Sequence, residues 1–264
     1  MMNFEITELY YHPVKSLSAL PAKILGVDDF GFINDRRFML IDGQGKFVSQ
    51  RALPILSLLK AEFFNQQLII SNETIGLMVF DLKDFKEGVT AKIWSDTVEA
   101  KSLENKKTEL LSLYLGINVR LVYMPETSFR QVDKDYFSLN QRVSFADGFP
   151  FLLTNQASLD DLNSRLDETV SMRRFRPNIV FSGSRAFQED QWKRIRIGEI
   201  EFEVVKPCSR CVMTTVDSSG KKGREPLKTL STYRRNAFGI CFGQNLVHLG
   251  KGAIQVGDRL TVLE

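Results

Sequence analysis

Cysteine and histidine are scarce in this chain. Its 264 residues include three cysteines and two histidines, which are too few for a disulfide scaffold or for a set of zinc knuckles. No stretch approaches the roughly 20 apolar residues that a membrane-spanning helix needs. The first residues also lack the basic and apolar segments of a signal peptide. We therefore expect a cytoplasmic protein without membrane insertion.

A strong excess of one charge is missing as well. The 35 Lys and Arg residues nearly balance 32 Asp and Glu residues, and the net charge of +3 is too small to indicate a nucleic-acid partner, so none is expected. The hydrophobic share of 43% and charged share of 25% are ordinary for a globular protein and exclude disordered, collagen-like and coiled-coil chains. Phenylalanine stands out, because twenty of them indicate a packed, sheet-rich interior.

Short alternating segments predict many strands. The clearest hairpin covers residues 194–204, where apolar and polar residues alternate around a two-residue turn. Further hairpins are predicted at 38–48 and 61–70. Single strands are predicted over 91–98 and over the β-branched segment 212–216.

Helical patterns are fewer than strand patterns. Apolar spacing and capping residues predict helices over residues 107–115, 157–166 and 227–235, with Asn155 as the cap at the start of the second. We therefore expect a mainly β fold with a few helices (α+β), built from barrels or sandwiches rather than a doubly wound sheet. A domain boundary is predicted near residues 95–103.

The strongest local motif is the C-x-x-C formed by Cys208 and Cys211. A structural zinc site needs two further ligands, which the sequence does not offer in a paired spacing. A thioredoxin-like pair should open a helix, whereas a strand is predicted to follow here. A third alternative is one thiolate that ligates a soft metal, with Arg210 nearby to favour the ionised form. From spacing alone, two buried cysteines that behave as small apolar residues are favoured.

Basic residues are scattered along the chain and would form an anion site only if the fold brings them together. Arginine binds phosphate with a bidentate fork, whereas lysine adds a point charge. Each residue taken alone is better explained as a solvated surface charge. Walker A, GxGxxG and HExxH motifs are missing from the sequence. The basic residues in question are Lys15, Arg36, Arg37, Arg51, Arg173, Arg174 and Arg176.

Five longer motifs carry a family resemblance. They are YHPVKS at 11–16, DRRFML at 35–40, ADGFP at 146–150, FRPNIV at 175–180 and PCSRCVMTTVD at 207–217. With these motifs the chain resembles the MOSC-domain proteins that carry an N-terminal MOSC-associated β-barrel domain, including the mitochondrial amidoxime-reducing components and their bacterial relatives. The resemblance implies an N-terminal domain over residues 1–98 and a MOSC β-barrel domain over 99–264.

The resemblance also implies that the chain binds molybdenum cofactor (Mo-molybdopterin), a pyranopterin dithiolene with one phosphate. Cys211 would be the metal ligand and a catalytic residue, since a soft thiolate suits a sulfur-rich metal centre. Asp217 would be a second catalytic residue that handles protons. The implied cofactor-binding residues are Lys15, Ser16, Arg36, Asp147, Gly148, Arg176, Asn178, Ser209 and Arg210.

The implied activity is that of a molybdenum-dependent oxidoreductase, which reduces N-hydroxylated or N-oxygenated small molecules by two electrons. Some bacterial relatives carry a fused 2Fe–2S domain with a cysteine cluster, and we expect none in this chain. The electrons would then come from a separate donor protein of the reductase, ferredoxin or cytochrome type.

Two other functions stay open. The chain could carry molybdenum cofactor or sulfur without turnover of its own, since MOSC domains also occur in cofactor sulfurases. Those sulfurases have an upstream pyridoxal-phosphate domain, which associates the family with pyridoxal phosphate binding, although no such domain is expected here. The third possibility is a metal-free β barrel that binds a small molecule.

Overall fold

Strands dominate the chain in a computed structural model, which describes residues 3–103 and 105–264. The prediction of a mainly β fold with few helices is confirmed. In the described residues the strands are β1 Asn3–Tyr11, β2 Leu20–Ala22, β3 Ile24–Asp28, β4 Gly31–Phe32, β5 Phe38–Ile41, β6 Lys60–Phe64, β7 Gln67–Asn72, β8 Gly76–Asp81, β9 Glu87–Ile93, β10 Asp96–Leu103, β11 Arg120–Tyr123, β12 Phe151–Asn155, β13 Ile179–Ser182, β14 Arg194–Ile197, β15 Ile200–Ser209, β16 Arg235–Asn236, β17 Gly239–His248, β18 Gly252–Gln255 and β19 Arg259–Val262.

Within the described residues, seven strands close into a barrel in the order β12, β13, β1, β19, β14, β15 and β17, and β17 pairs back with β12. The hairpin predicted at 194–204 is present as β14 and β15, with Ile197 opposite Ile200. Ile195 and Ile197 are buried in the barrel core while Arg194 and Arg196, which alternate with them, face outward, as the alternating pattern requires. Aromatic rings fill the barrel interior, where Phe151 contacts Phe202 edge to face at 5.4 Å.

The first strand of the chain belongs to this barrel. β1 lies between β13 and β19, and β3 pairs with β18 near the other end of the sequence. β2 pairs with β1 and β4 with β3, and the other N-terminal strands form two further sheets, β5-β11-β10-β9 and β6-β7-β8. The predicted division between residues 98 and 99 falls inside β10 and stays a prediction.

Three helices occur in the described residues, α1 Lys106–Leu115, α2 Gln156–Asn163 and α3 Leu227–Tyr233. As predicted, the Asn155 side chain caps α2 by accepting a hydrogen bond from the Ala157 amide at 3.0 Å. Gly116 ends α1 in the left-handed conformation at φ 68°. Among the described residues, no helix combines the length and the apolar character needed to cross a membrane.

Two strand predictions are wrong. Residues 212–215 form a 3₁₀ helix, because Thr214 and Thr215 donate their hydroxyls to the carbonyls of Cys211 and Val212 at 3.0 and 2.8 Å. Residues 91–98 contain a two-residue turn at 94–95 that joins β9 to β10, with Ile93 opposite Asp96. Local hydroxyl bonding and turn geometry therefore override β propensity in both segments.

Candidate functional site

A cleft between the N-terminal sheets and the barrel gathers most of the predicted site residues. The cleft is open to solvent, and its volume is about 700 Å³ when the open mouth is included. The predicted cofactor-binding residues that line it are Lys15, Ser16, Arg36, Asp147, Gly148, Arg176, Asn178 and Arg210. Cys208 lines it as well.

Loops next to the barrel strands position these side chains. Lys15 and Ser16 follow β1, Asp147 and Gly148 precede β12, and Arg210 follows β15. Because β12, β13 and β1 are adjacent in the barrel, segments far apart in sequence meet at the cleft. The fold thus converts separate basic residues into one site.

A buried polar network holds Arg36 in place. Its guanidinium donates to Asn178 Oδ1 at 3.0 Å and also pairs with Asp35. The Asn178 amide nitrogen donates to Asp35 Oδ2 at 3.2 Å and to the Tyr10 carbonyl at 3.3 Å. Desolvation would raise the pKa of Asp35, but the Arg36 charge and the hydrogen bond with His12 lower it. Asp35 therefore remains an ionised anchor.

Left-handed backbone conformations concentrate at the cleft. Four of its non-glycine lining residues have positive φ, namely Ser16 at 71°, Arg36 at 50°, Trp94 at 55° and Arg176 at 54°. Residues other than glycine and asparagine rarely adopt this backbone conformation because it is strained. Strained backbone conformations cluster at functional sites. The backbone therefore gives independent support for a binding site here.

Positive charge is crowded in the cleft. Burial lowers the pKa of Lys15 to about 8, although its ion pair with Asp147 (Nζ to Oδ1, 2.5 Å) acts in the opposite direction. Burial and the neighbouring Arg36 lower the pKa of Arg176 to about 9. Desolvation would raise the pKa of Asp147, but Lys15 and Arg51 outweigh it and lower that pKa. Burial and, to a smaller extent, the neighbouring cations thus disfavour the charged forms of Lys15 and Arg176, and a bound anion would favour them.

Arg210 retains an unused donor beside the cleft. Its guanidinium donates to Cys208 Sγ at 2.8 Å and to the Phe175 carbonyl at 2.7 Å. Its Nε is buried and has no hydrogen-bond partner. A buried donor without a partner is costly, and an acceptor on a bound ligand would satisfy it. The residues present therefore fit an anionic, acceptor-rich cofactor.

Three predicted site residues do not line this cleft within the described residues. Ser209 is exposed, and Cys211 is half-buried where the 3₁₀ helix begins. Asp217 lines a neighbouring groove, where its carboxylate accepts hydrogen bonds from Ser219 and from the Lys221 amide. Those bonds lower the pKa of Asp217, so the ionised form is favoured. The roles assigned to these three residues stay predictions.

Sequence reasoning missed part of the cleft wall. Phe47, Ser49, Trp94 and Met213 line the cleft, and none of them was predicted as a site residue. Trp94 was not predicted as a site residue because residues 91–98 were predicted to form one continuous strand. The polar pair Ser95-Asp96 that interrupts the apolar alternation was the available signal for a turn.

The fold and the site together define a β-barrel protein with a cationic, thiol-bearing cleft. The MOSC domain model matches residues 140–261, and the model described as the MOSC N-terminal beta barrel domain matches residues 3–118. The chain belongs to this family of MOSC-domain proteins, to which the mitochondrial amidoxime-reducing components are homologous.

Individual relatives match nearly the whole chain. "Mitochondrial amidoxime-reducing component 1" of Danio rerio is 35% identical over 96% of this chain and 83% of its own length. The Homo sapiens protein of the same name is 31% identical over 98% of this chain and 82% of its length. Among solved structures, the YuaD protein of Bacillus subtilis aligns over 98% of this chain and 94% of its own at 10% identity, and its TM-score of 0.43 is too low to carry an argument.

We expect sulfate to bind the cofactor-free protein roughly tenfold more weakly at pH 9 than at pH 7, the equivalent of one lost charge interaction of about 1.4 kcal/mol. Lys15, whose pKa is about 8, is an ammonium below that pH and attracts the anion, and it becomes neutral above it. Arg176, whose pKa is about 9, begins to lose its charge at the upper end of the same range and accounts for the decline that remains without Lys15. Sulfate itself does not titrate in this range. Calorimetric titration at both pH values measures the change.

The matched control for this titration is Lys15→Met. This variant should bind sulfate weakly at pH 7 and show a smaller decline by pH 9. Equal affinity of the unchanged protein at both pH values would contradict the role given to Lys15.

Proposed function

We propose that this chain is a molybdenum-cofactor-dependent reductase of N-hydroxylated and N-oxygenated compounds. The convergence of Lys15, Arg36, Arg176 and Arg210 on one cleft beside Cys208 carries the proposal. Relatives that match nearly the full chain are named for amidoxime reduction, which supports the same substrate class.

In this proposal the cations hold the anionic cofactor. Lys15, Arg36 and Arg176 bind the phosphate, and the unpaired Arg210 Nε donates to an acceptor on the pterin. Asn178 keeps Arg36 oriented through the 3.0 Å hydrogen bond between them. When bound, the molybdenum cofactor supplies the two-electron redox chemistry that cleaves an N–O bond.

The proposal also assigns roles to three residues outside the cleft lining and to a partner protein. Cys211 provides the protein thiolate for the metal, and Ser209, the last residue of β15, contacts the cofactor. Asp217 is assigned the handling of protons near the site, and the hydrogen bonds that lower its pKa keep its carboxylate ionised. Overall, a hydroxylamine group takes up two electrons and two protons and yields an amine and water. The electrons come from a separate donor protein, and a cytoplasmic location is part of this proposal.

We expect protein produced in a cofactor-competent host to reduce benzamidoxime to benzamidine with an artificial electron donor. Chromatographic quantification of benzamidine measures the turnover. Stoichiometric molybdenum without any turnover of benzamidoxime or hydroxylaminopurine would favour the alternative of a cofactor carrier. Protein without molybdenum from the same host would point to a metal-free binding barrel.

A further inference from the structure

Trp94 occupies a position that local sequence rules do not favour. It lies in the two-residue turn between β9 and β10 at φ 55°, a conformation that glycine and asparagine adopt with less strain. Its side chain is 45% exposed and belongs to none of the hydrophobic clusters in the described residues. Neither turn formation nor core packing therefore accounts for a tryptophan here.

The position of Trp94 relative to the cleft is specific. Lys15 is 6% exposed on the inner wall, whereas the side chains of Arg51 and Asp147 are 32% and 56% exposed. Arg51 and Asp147 therefore mark the mouth of the cleft, and Trp94 lines the cleft beside these two residues. Trp94, which is 45% exposed, therefore lies where the cleft opens to solvent.

Neighbouring groups hold the indole at the mouth. Trp94 Nε1 donates to Asp147 Oδ1 at 3.3 Å, and the same oxygen is paired with Lys15. The Arg51 guanidinium lies 4.3 Å from the indole centroid, and the Phe47 ring lies 4.8 Å away at 64°. These contacts hold Trp94 in place, and because the Arg51 guanidinium lies over the indole, an aromatic group would pack on the part of the ring that stays exposed.

We propose that Trp94 and Phe47 form a stacking subsite for a planar aromatic group on the N-oxygenated substrate, and that Trp94 determines specificity. The subsite rests on the proposed function, since it orients a substrate toward the cofactor cleft. Aromatic groups pack on one another in offset or edge-to-face arrangements, which an indole held at the cleft mouth can offer. Small aliphatic substrates gain nothing from this surface.

Substrate selectivity tests the subsite. In Trp94→Leu, KM for benzamidoxime should rise roughly tenfold, the upper end of the effect of one aromatic pair, while KM for acetamidoxime stays within twofold. Trp94→Phe should restore most of the loss. Phe64→Leu is the matched control, because Phe64 is 66% exposed and lines neither the cleft nor the neighbouring groove. An equal rise for both substrates in Trp94→Leu would overturn the proposal.

A binding measurement separates the subsite from the activity. The chain has two tryptophans, and Trp192 is packed against Phe4 and Phe181 in the barrel. Benzamidoxime should quench the fluorescence of the molybdenum-loaded protein saturably without an electron donor, and Trp94→Leu should abolish this quenching while its molybdenum content stays unchanged. Quenching without turnover would refute the proposed function alone. Turnover without quenching, or loss of molybdenum in Trp94→Leu, would refute the subsite alone.

Discussion

We expect Cys211→Ser to contain no molybdenum, whereas Cys208→Ser keeps a stoichiometric amount. A thiolate is a soft ligand suited to a sulfur-rich metal centre, and a serine hydroxyl is a much poorer one. Elemental analysis of both variants, purified from a cofactor-competent host, measures the difference. Circular dichroism confirms that each variant is folded before its metal content is compared.

The two cysteines occupy different positions relative to the cleft. Cys208 lines the cleft and accepts a hydrogen bond from Arg210 at 2.8 Å, whereas Cys211 lies three residues later and is half-buried. Loss of molybdenum in Cys208→Ser alone would transfer the ligand role to Cys208. Equal loss in both variants would contradict a single thiolate ligand. Cys241 is buried and hydrogen-bonded to Asn236, so it serves as core.

We expect Asn178→Ala to lower the free energy of unfolding by about 3 kcal/mol, a value typical of breaking a buried polar network. Asn178 is 1% exposed, and its amide links Asp35, Arg36 and two backbone groups. Alanine would remove one hydrogen-bond partner from each of these buried groups. Urea denaturation of the cofactor-free protein measures the change.

Asn118→Ala is the matched control for this measurement. Asn118 is exposed, and its substitution should change the stability by no more than about 0.5 kcal/mol. A loss below about 1 kcal/mol in Asn178→Ala would mean that the network contributes no more than one ordinary hydrogen bond. The position would then matter for ligand binding rather than for the fold.

Sequence patterns predicted those helices and strands whose structure depends on interactions between residues close together in the sequence. The alternation around Gly198 predicted the hairpin of β14 and β15, since one face of a strand must be buried. The cap at Asn155 predicted the start of α2 because its side chain bonds the adjacent backbone. The β-branched residues 212–216 led to a wrong prediction of a strand, since two threonine hydroxyls favour a 3₁₀ helix there. The prediction of one strand over residues 91–98 was also wrong, because a turn replaces the middle of that strand.

The sequence by itself determined which groups are available, namely scattered cations, a C-x-x-C motif and family motifs that contain them. Only the tertiary structure decided that Lys15, Arg36, Arg176 and Arg210 share one cleft, that Cys208 lines it and that Trp94 stands at its mouth. The physical reason is the separation in sequence over which each interaction acts. Strand alternation and capping act over a few residues, whereas the cleft depends on β1 pairing with β13 and β19, more than 160 positions away. Such pairing arises from closure of the whole barrel, which no local pattern specifies.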